Sequence, residues 1–173
     1  TLLNGGVTEV LDSRLSPLAA PVAVSGLLGG TAATEVATLI VPAGAAPDAL
    51  QLTLTAVSQQ GLQGSLPAGW SPVSAIDIGP HGVALPGATL AVPNAWHFAA
   101  GTPLVVVRWD EDASAWRALA DAAVSADERT IQGSIDGTGA FAMLVGDVLP
   151  SAPGCSWPSA WWWSWPIPSF LRS

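Results

Sequence analysis

Lysine is absent from this 173-residue chain, and five scattered arginines supply its positive side-chain charge. The formal net charge is -8 at pH 7, and charged residues make up only 10% of the sequence. A Walker loop needs a lysine for its phosphates, and nucleic-acid binding needs clustered cationic side chains. We therefore expect neither a nucleotide-binding loop of this type nor a DNA or RNA partner.

Cysteine is almost absent as well, since Cys155 is the only one. The chain therefore cannot form an internal disulfide or a cluster of thiolate metal ligands. No cationic side chain lies close to Cys155 in the sequence, so an inert thiol is favoured over a reactive thiol or an intermolecular disulfide. No run of about 18 apolar residues is present, which argues against a conventional membrane-spanning helix.

The shortage of charge also bears on location. A cytoplasmic protein normally carries charges of both signs over its surface, whereas here Ser, Thr, Ala, Gly and Pro must cover most of it. The sequence begins at Thr1 rather than at Met. This start agrees with a removed signal peptide or with a chain cut from a longer one. We expect an extracytoplasmic protein that is periplasmic, secreted or on the cell surface.

Short alternating segments dominate the middle of the chain, where Gly and Pro recur too often for long helices. In one such segment Leu50, Leu52 and Leu54 share a face and polar residues occupy the other. We predict an all-β fold, either an antiparallel β-sandwich or a related closed arrangement. The predicted strands are Glu35 to Val41, Leu50 to Val57, Ala75 to Ile78, Thr89 to Val92, Leu104 to Val107, Ala115 to Leu119, Ile131 to Ile135 and Ala140 to Val145.

These strands place the β-sandwich domain in residues 35–146. Residues 1–34 form an irregular N-terminal arm, in which Val7 to Leu15 suits either a short helix or a strand. Either that segment or Val22 to Leu28 completes the sheet of a neighbouring subunit by strand addition, or the arm pairs with its own sheet. Residues 147–173 form a C-terminal tail rich in Trp and Pro.

Five short phrases follow one another along residues 35–145. They are Leu39 to Ala45, Leu50 to Val57, Ile78 to Gly82, Trp109 with Trp116 around an acidic turn, and Ile131 to Val145. In this order they resemble a bacterial relative of the ZU-five domain, a β-sandwich found beside death domains and in ankyrin-type scaffolds. The resemblance implies the sandwich fold and a scaffolding role.

Some members of that family cut their own chain at a His-Phe-Ser triplet just before the last strand, where the serine hydroxyl attacks the preceding carbonyl. The corresponding positions here are Gly137, Thr138 and Gly139, and all three differ from the triplet. Glycine has no hydroxyl, and the one His-Phe pair, at His97, is followed by Ala99. The chain departs from the family's pattern here, so we do not expect self-cleavage.

Two histidines are the only side chains whose ordinary pKa lies near neutrality. His81 lies among Gly and Pro, so a turn histidine is favoured over a general base. His97 lies between Trp96 and Phe98, so packing in an aromatic loop is favoured over a ligand role. Two histidines without a third partner make a poor zinc site.

The run Asp110-Glu111-Asp112 offers oxygen ligands to calcium, but its spacing does not match an EF-hand. We therefore favour a solvated hairpin tip. Trp109 and Trp116 are equidistant from the centre of this turn, so we predict that they lie opposite each other and touch.

The tail holds the strongest functional signal, because exposed tryptophan is favoured at protein interfaces and at membrane boundaries. We predict a non-catalytic structural or assembly subunit without cofactor or metal. It docks on protein partners in a larger assembly, or at a membrane surface. The alternative is a carbohydrate or cell-surface ligand module using Trp70, Trp96 and Phe98. The predicted docking residues are Trp157, Trp161, Trp162, Trp163, Trp165 and Phe170.

Overall fold

The computed structural model describes residues 17–46 and 49–147. These residues form ten β-strands and a short 3-10 helix, Gln59–Gly61. The predicted all-β antiparallel fold is confirmed, and each of the eight predicted strands overlaps an observed one. In chain order the strands are β1 Val22–Val24, β2 Gly30–Ala33, β3 Thr38–Val41, β4 Leu50–Ala56, β5 Trp70–Gly79, β6 Ala84–Pro93, β7 Leu104–Asp110, β8 Ala115–Val124, β9 Thr130–Gly137 and β10 Gly139–Gly146.

The ten strands form one sheet in the order β1-β4-β5-β10-β7-β8-β9-β6-β3-β2, and neighbouring strands run antiparallel. The two end strands, β1 and β2, follow each other in the chain. A bridge between Ser25 and Gly29 closes the turn that joins them. The sheet therefore nearly closes on itself, which leaves little unpaired strand edge.

Alternation along each strand separates an inner face from an outer face. On β5, for example, Ile76 and Ile78 join the inner core, whereas Ala75 and Asp77 face the other way. Removal of the inner apolar surface from water supplies most of the driving force for folding. The largest fully buried side chains are Phe141, Leu39, Leu52, Leu54, Ile78, Leu85, Leu90, Ile131, Met143, Leu144, Val92 and Val106.

Pro72 and Gly133 are residue types that strand interiors usually avoid, and the local structure explains both. Pro72 lies in β5 opposite Leu144, next to a shift of register between Met143 and Leu144, where a missing N–H is tolerated. Gly133 lies in β9, and a Cβ atom at this position would overlap the side chain of Val106. The inner core therefore requires glycine at position 133.

The described part of the predicted arm is regular and belongs to the sheet. β1 pairs with β4 and β2 pairs with β3, and the inward side chains of Val24 and Ala32 are buried. Burial of these side chains explains why the segment joins the sheet. Of the two pairings expected for Val22 to Leu28, the structure shows the one with its own chain. The segment Val7 to Leu15 lies outside the described residues.

A second, smaller cluster lies on the outer face of β5, β10, β7 and β8. Its buried members include Ala75, Val107 and Trp116, and residues 57–69 pack over it through Val57 and Leu62. We call residues 57–69 the cover loop. One face of this half of the sheet thus carries a covering segment that is not a strand.

Candidate functional site

The acidic hairpin between β7 and β8 has the predicted register. Trp109 and Trp116 are direct cross-strand partners, and their ring centroids lie 5.5 Å apart in an edge-to-face arrangement. Trp116 Nε1 donates a hydrogen bond of 2.7 Å to the carbonyl oxygen of Gln63 in the cover loop. The predicted contact is confirmed, and the pair supports the cover loop as well as the hairpin.

The tip of this hairpin is held by Asp110. Its Oδ1 accepts the N–H of Ala113 at 2.9 Å, and its Oδ2 lies 2.6 Å from Arg117 Nε. The Ala113 N–H lowers the pKa of the Asp110 carboxyl below its ordinary value, and the Arg117 charge adds to this against some desolvation. The Asp110 carboxylate therefore stabilises the turn through its own neighbours, Ala113 and Arg117. Among residues 17–46 and 49–147 no three His, Cys, Asp or Glu side chains are grouped to hold a metal ion.

His81 lies in the turn between β5 and β6, as predicted, and it has a partner, Asp77, that its sequence neighbours did not indicate. Its Nε2 lies 2.7 Å from Oδ1 of Asp77, and the two side chains are 49% and 35% exposed. An ionised carboxylate only accepts hydrogen bonds, so the imidazole proton on Nε2 points to Asp77. The other carboxylate oxygen, Asp77 Oδ2, remains an acceptor.

A pocket of about 290 Å³ opens beside this pair, between the cover loop and the outer face of the sheet. On the sheet side, the small side chains of Ala75 and Ala140 line it. Thr55 lies directly opposite Asp77 on the neighbouring strand. The described lining residues are Leu18, Thr55, Val57, Gly61, Leu62, Gln63, Ala75, Asp77, His81, Trp116, Ala140 and Phe141.

The three aromatic residues proposed for sugar stacking separate into two places. Trp96 is 61% exposed, and with Phe98 it lines a groove of about 320 Å³ that also contains Pro72 and Val73. Trp96 Nε1 donates to the Val73 carbonyl oxygen at 3.3 Å, which fixes the ring orientation. Trp70 instead packs in the outer cluster under the cover loop.

The positions that correspond to the self-cleavage triplet lie at the sharp join between β9 and β10. Thr138 is 1% exposed, and its hydroxyl donates to the Pro80 carbonyl oxygen at 2.5 Å while accepting the Val83 N–H at 2.9 Å. A Cβ atom on Gly137 would meet the Val83 carbonyl oxygen at 2.7 Å. The one hydroxyl at this join is therefore engaged in holding the turn before β6.

Several sequence-predicted residues lie outside the described part of the chain. These are the tail residues Trp157, Trp161, Trp162, Trp163, Trp165 and Phe170, together with Cys155.

The Asp77–His81 pair could not be predicted from the sequence because the two residues belong to different elements, a strand end and a turn. The outward position of Asp77, between two inward isoleucines, was visible in the alternation of β5. No local signal indicated that the following turn returns His81 to the same face. The position of Thr55 opposite Asp77 depends on strand register, which the sequence does not give.

No family model matches the chain, and the search of curated proteins found no match either. Within residues 17–46 and 49–147, no helix has the length and apolarity needed to cross a membrane.

Proposed function

We propose that this chain is a non-catalytic, extracytoplasmic structural or assembly subunit, in which a rigid β-domain carries a Trp-rich segment that docks on partner proteins. The scaffolding role implied by the ZU-five resemblance is part of the same proposal. The observation that carries it is the position of the aromatic residues in the sequence, since five of the nine tryptophans come after the last strand, between Trp157 and Trp165.

The sheet does not need those tryptophans to complete its strand pairing. β10 is paired on both sides, by β5 and β7, and it ends at Gly146. The next residue is also held, because the Asp147 N–H donates to the Gly69 carbonyl oxygen at 2.8 Å and Ser71 Oγ donates to Asp147 Oδ1 at 2.7 Å. Strand pairing is therefore complete without the residues beyond Asp147, and tryptophan is a residue type that interfaces favour.

Exposed apolar side chains on the sheet support the same interpretation. Leu27 and Leu28, at the turn between β1 and β2, are 69% and 80% exposed. The backbone holds this turn in place, since the Gly44 N–H donates to the Gly26 carbonyl oxygen at 2.8 Å. Such side chains on a surface poor in charge suit contact with a protein partner.

The test is the mass of the native complex that contains the chain. We expect wild-type protein from its own cells to elute in a complex, and the variant with Trp161, Trp162 and Trp163 replaced by serine to elute as a free monomer. A matched control replaces Ser156, Ser159 and Ser164 by alanine and keeps every aromatic residue. Retention of the complex by the serine variant would contradict the proposal.

A second candidate, carbohydrate binding, is favoured by the exposed ring of Trp96 beside Phe98 and the polar residues Gln59 and Ser71. Sugar rings stack on such aromatic faces. Under this candidate, Trp96→Ala abolishes glycan binding and leaves the circular dichroism spectrum unchanged, whereas Leu28→Ala, at a distant exposed site, binds as the wild type does. A complete absence of glycan binding by the wild type would eliminate it.

A further inference from the structure

The pocket beside Asp77 contains an unusual imbalance of charge. Asp77 is the one acidic side chain among the described lining residues. No arginine is among the described lining residues, and the chain has no lysine. The net charge of -8 adds a negative potential around the pocket. A cationic ligand is therefore favoured over an anionic one.

The hydrogen-bonding groups point to the same conclusion. Oδ1 of Asp77 holds His81, and Oδ2 has no hydrogen-bond partner among the described residues. Thr55 is only 8% exposed, and its Oγ1 accepts the Ala19 N–H at 3.2 Å, which leaves a second lone pair for another donor. Two acceptors on neighbouring strands thus face each other across the same register position.

Apolar side chains form much of the remaining lining, beside the polar residues Gln63 and His81. Leu18, Val57 and Leu62 line one side, and Trp116 lines the pocket with its ring fixed by the Gln63 carbonyl oxygen. Ligand pockets usually have volumes of about 300 to 1,000 Å³, and this one, at about 290 Å³, lies just below that range. The ligand is therefore small, and it combines an apolar body with a donor group.

We propose that this pocket binds a small organic ammonium ion, with the ammonium group between Asp77 Oδ2 and Thr55 Oγ1 and the apolar body against Leu62 and Trp116. His81 is a positioning residue, because its bond to Oδ1 fixes the carboxylate plane. This proposal goes beyond the assembly role, since the residues that carry it all precede the Trp-rich tail.

The test is a titration of ¹⁵N-labelled full-length protein with 2-phenylethylammonium, followed by NMR. We expect saturable shifts centred on the amides of Gly61, Leu62 and Asp77. The matched neutral and anionic probes are 2-phenylethanol and phenylacetate. Because a charge-assisted hydrogen bond is lost, the alcohol binds at least about ten-fold more weakly. Equal binding of all three probes would overturn the proposal.

Two variants locate the site. Asp77→Asn keeps the shape of a half-exposed side chain and weakens ammonium binding at least about ten-fold, while the control Asp121→Asn, at an exposed position, leaves it unchanged. Ala140→Leu fills the pocket floor and abolishes binding, with folding verified by circular dichroism. Wild-type affinity in Asp77→Asn would contradict the assignment.

A lysine side chain of a partner protein presents the same chemistry as a free amine. Nα-acetyl-lysine methylamide, titrated in parallel, distinguishes these sources. Binding of this probe supports the pocket chemistry with a protein side chain as the source, and binding of 2-phenylethylammonium alone supports a free amine. Failure of both to bind would overturn the proposal.

Discussion

The inner and outer faces of the sheet differ in what covers them. Because the sheet nearly closes, side chains on opposite parts of its inner face pack against one another. This inner core consists of apolar side chains contributed by all ten strands. The outer face of β5, β10, β7 and β8 is covered by the 57–69 loop, which leaves a pocket with an ionisable pair at its mouth. Closure of the core fixes the fold, and the pocket under the outer cover is the place where we propose that a ligand binds.

The largest effect is expected in a comparison of a leucine in the inner core with an exposed leucine at a turn. Leu90 is 1% exposed in the inner core, whereas Leu28 is 80% exposed. Leu90→Ala should lower the free energy of unfolding by about 2 to 5 kcal/mol because it leaves a cavity. Leu28→Ala should change it by less than about 0.5 kcal/mol. Urea unfolding monitored by circular dichroism measures both values, and similar losses would contradict the proposed core.

A smaller difference in stability is expected between variants of the two edge-to-face tryptophans of the outer cluster. Trp116→Phe removes the hydrogen bond to Gln63 and should cost about 1 to 2 kcal/mol. Trp109→Phe is the matched control, since Trp109 Nε1 is buried and has no hydrogen-bond partner among the described residues. That change should be close to neutral or stabilising. Urea midpoints of the two variants give the comparison, and the reverse order would mean that the cover loop is not held by Trp116.

How far the sequence predicts this architecture is visible in the hairpin and in the pocket. The contact of Trp109 with Trp116 follows from symmetry about a short turn, which is local information. The meeting of Thr55, Asp77 and His81 depends on the register between β4 and β5 and on the path of a turn. Those features are set by packing across the sheet, so alternation alone cannot supply them. The longer true extents of β5 and β6 were missed because Pro72 and Pro86 interrupt their patterns.

A still smaller effect is expected at the hairpin tip, where the pKa of Asp110 is lowered from its ordinary value of 3.8, first by the Ala113 N–H. A lowered folded-state pKa adds stability that is present above the unfolded-state value and is lost as pH falls through the folded-state value. Asp110→Asn should therefore be slightly less stable than wild type at pH 7, and the difference should vanish in acid. Melting temperatures of wild type and Asp110→Asn, measured from pH 7 to below pH 3.8, test this prediction, and Asp112→Asn is the control. A difference that persists at low pH would contradict this origin.

Calcium should not change the melting temperature, because the acidic hairpin tip is not expected to bind it. Asp110 is already engaged with Ala113 and Arg117. A ligand raises the melting temperature only by binding the folded state. We expect identical melting curves with added calcium and with a chelator. A saturable rise with calcium would show that the acidic tip is a metal site.

Deletion of residues 156–173 tests most directly whether the sheet is complete in itself while the Trp-rich tail carries association. Urea unfolding of the shortened chain and its elution within the native complex are measured together. We predict an unchanged urea midpoint and loss of the complex. A shortened chain that cannot fold would place the tail in the core, and one that assembles as before would show that the tail is not the docking segment.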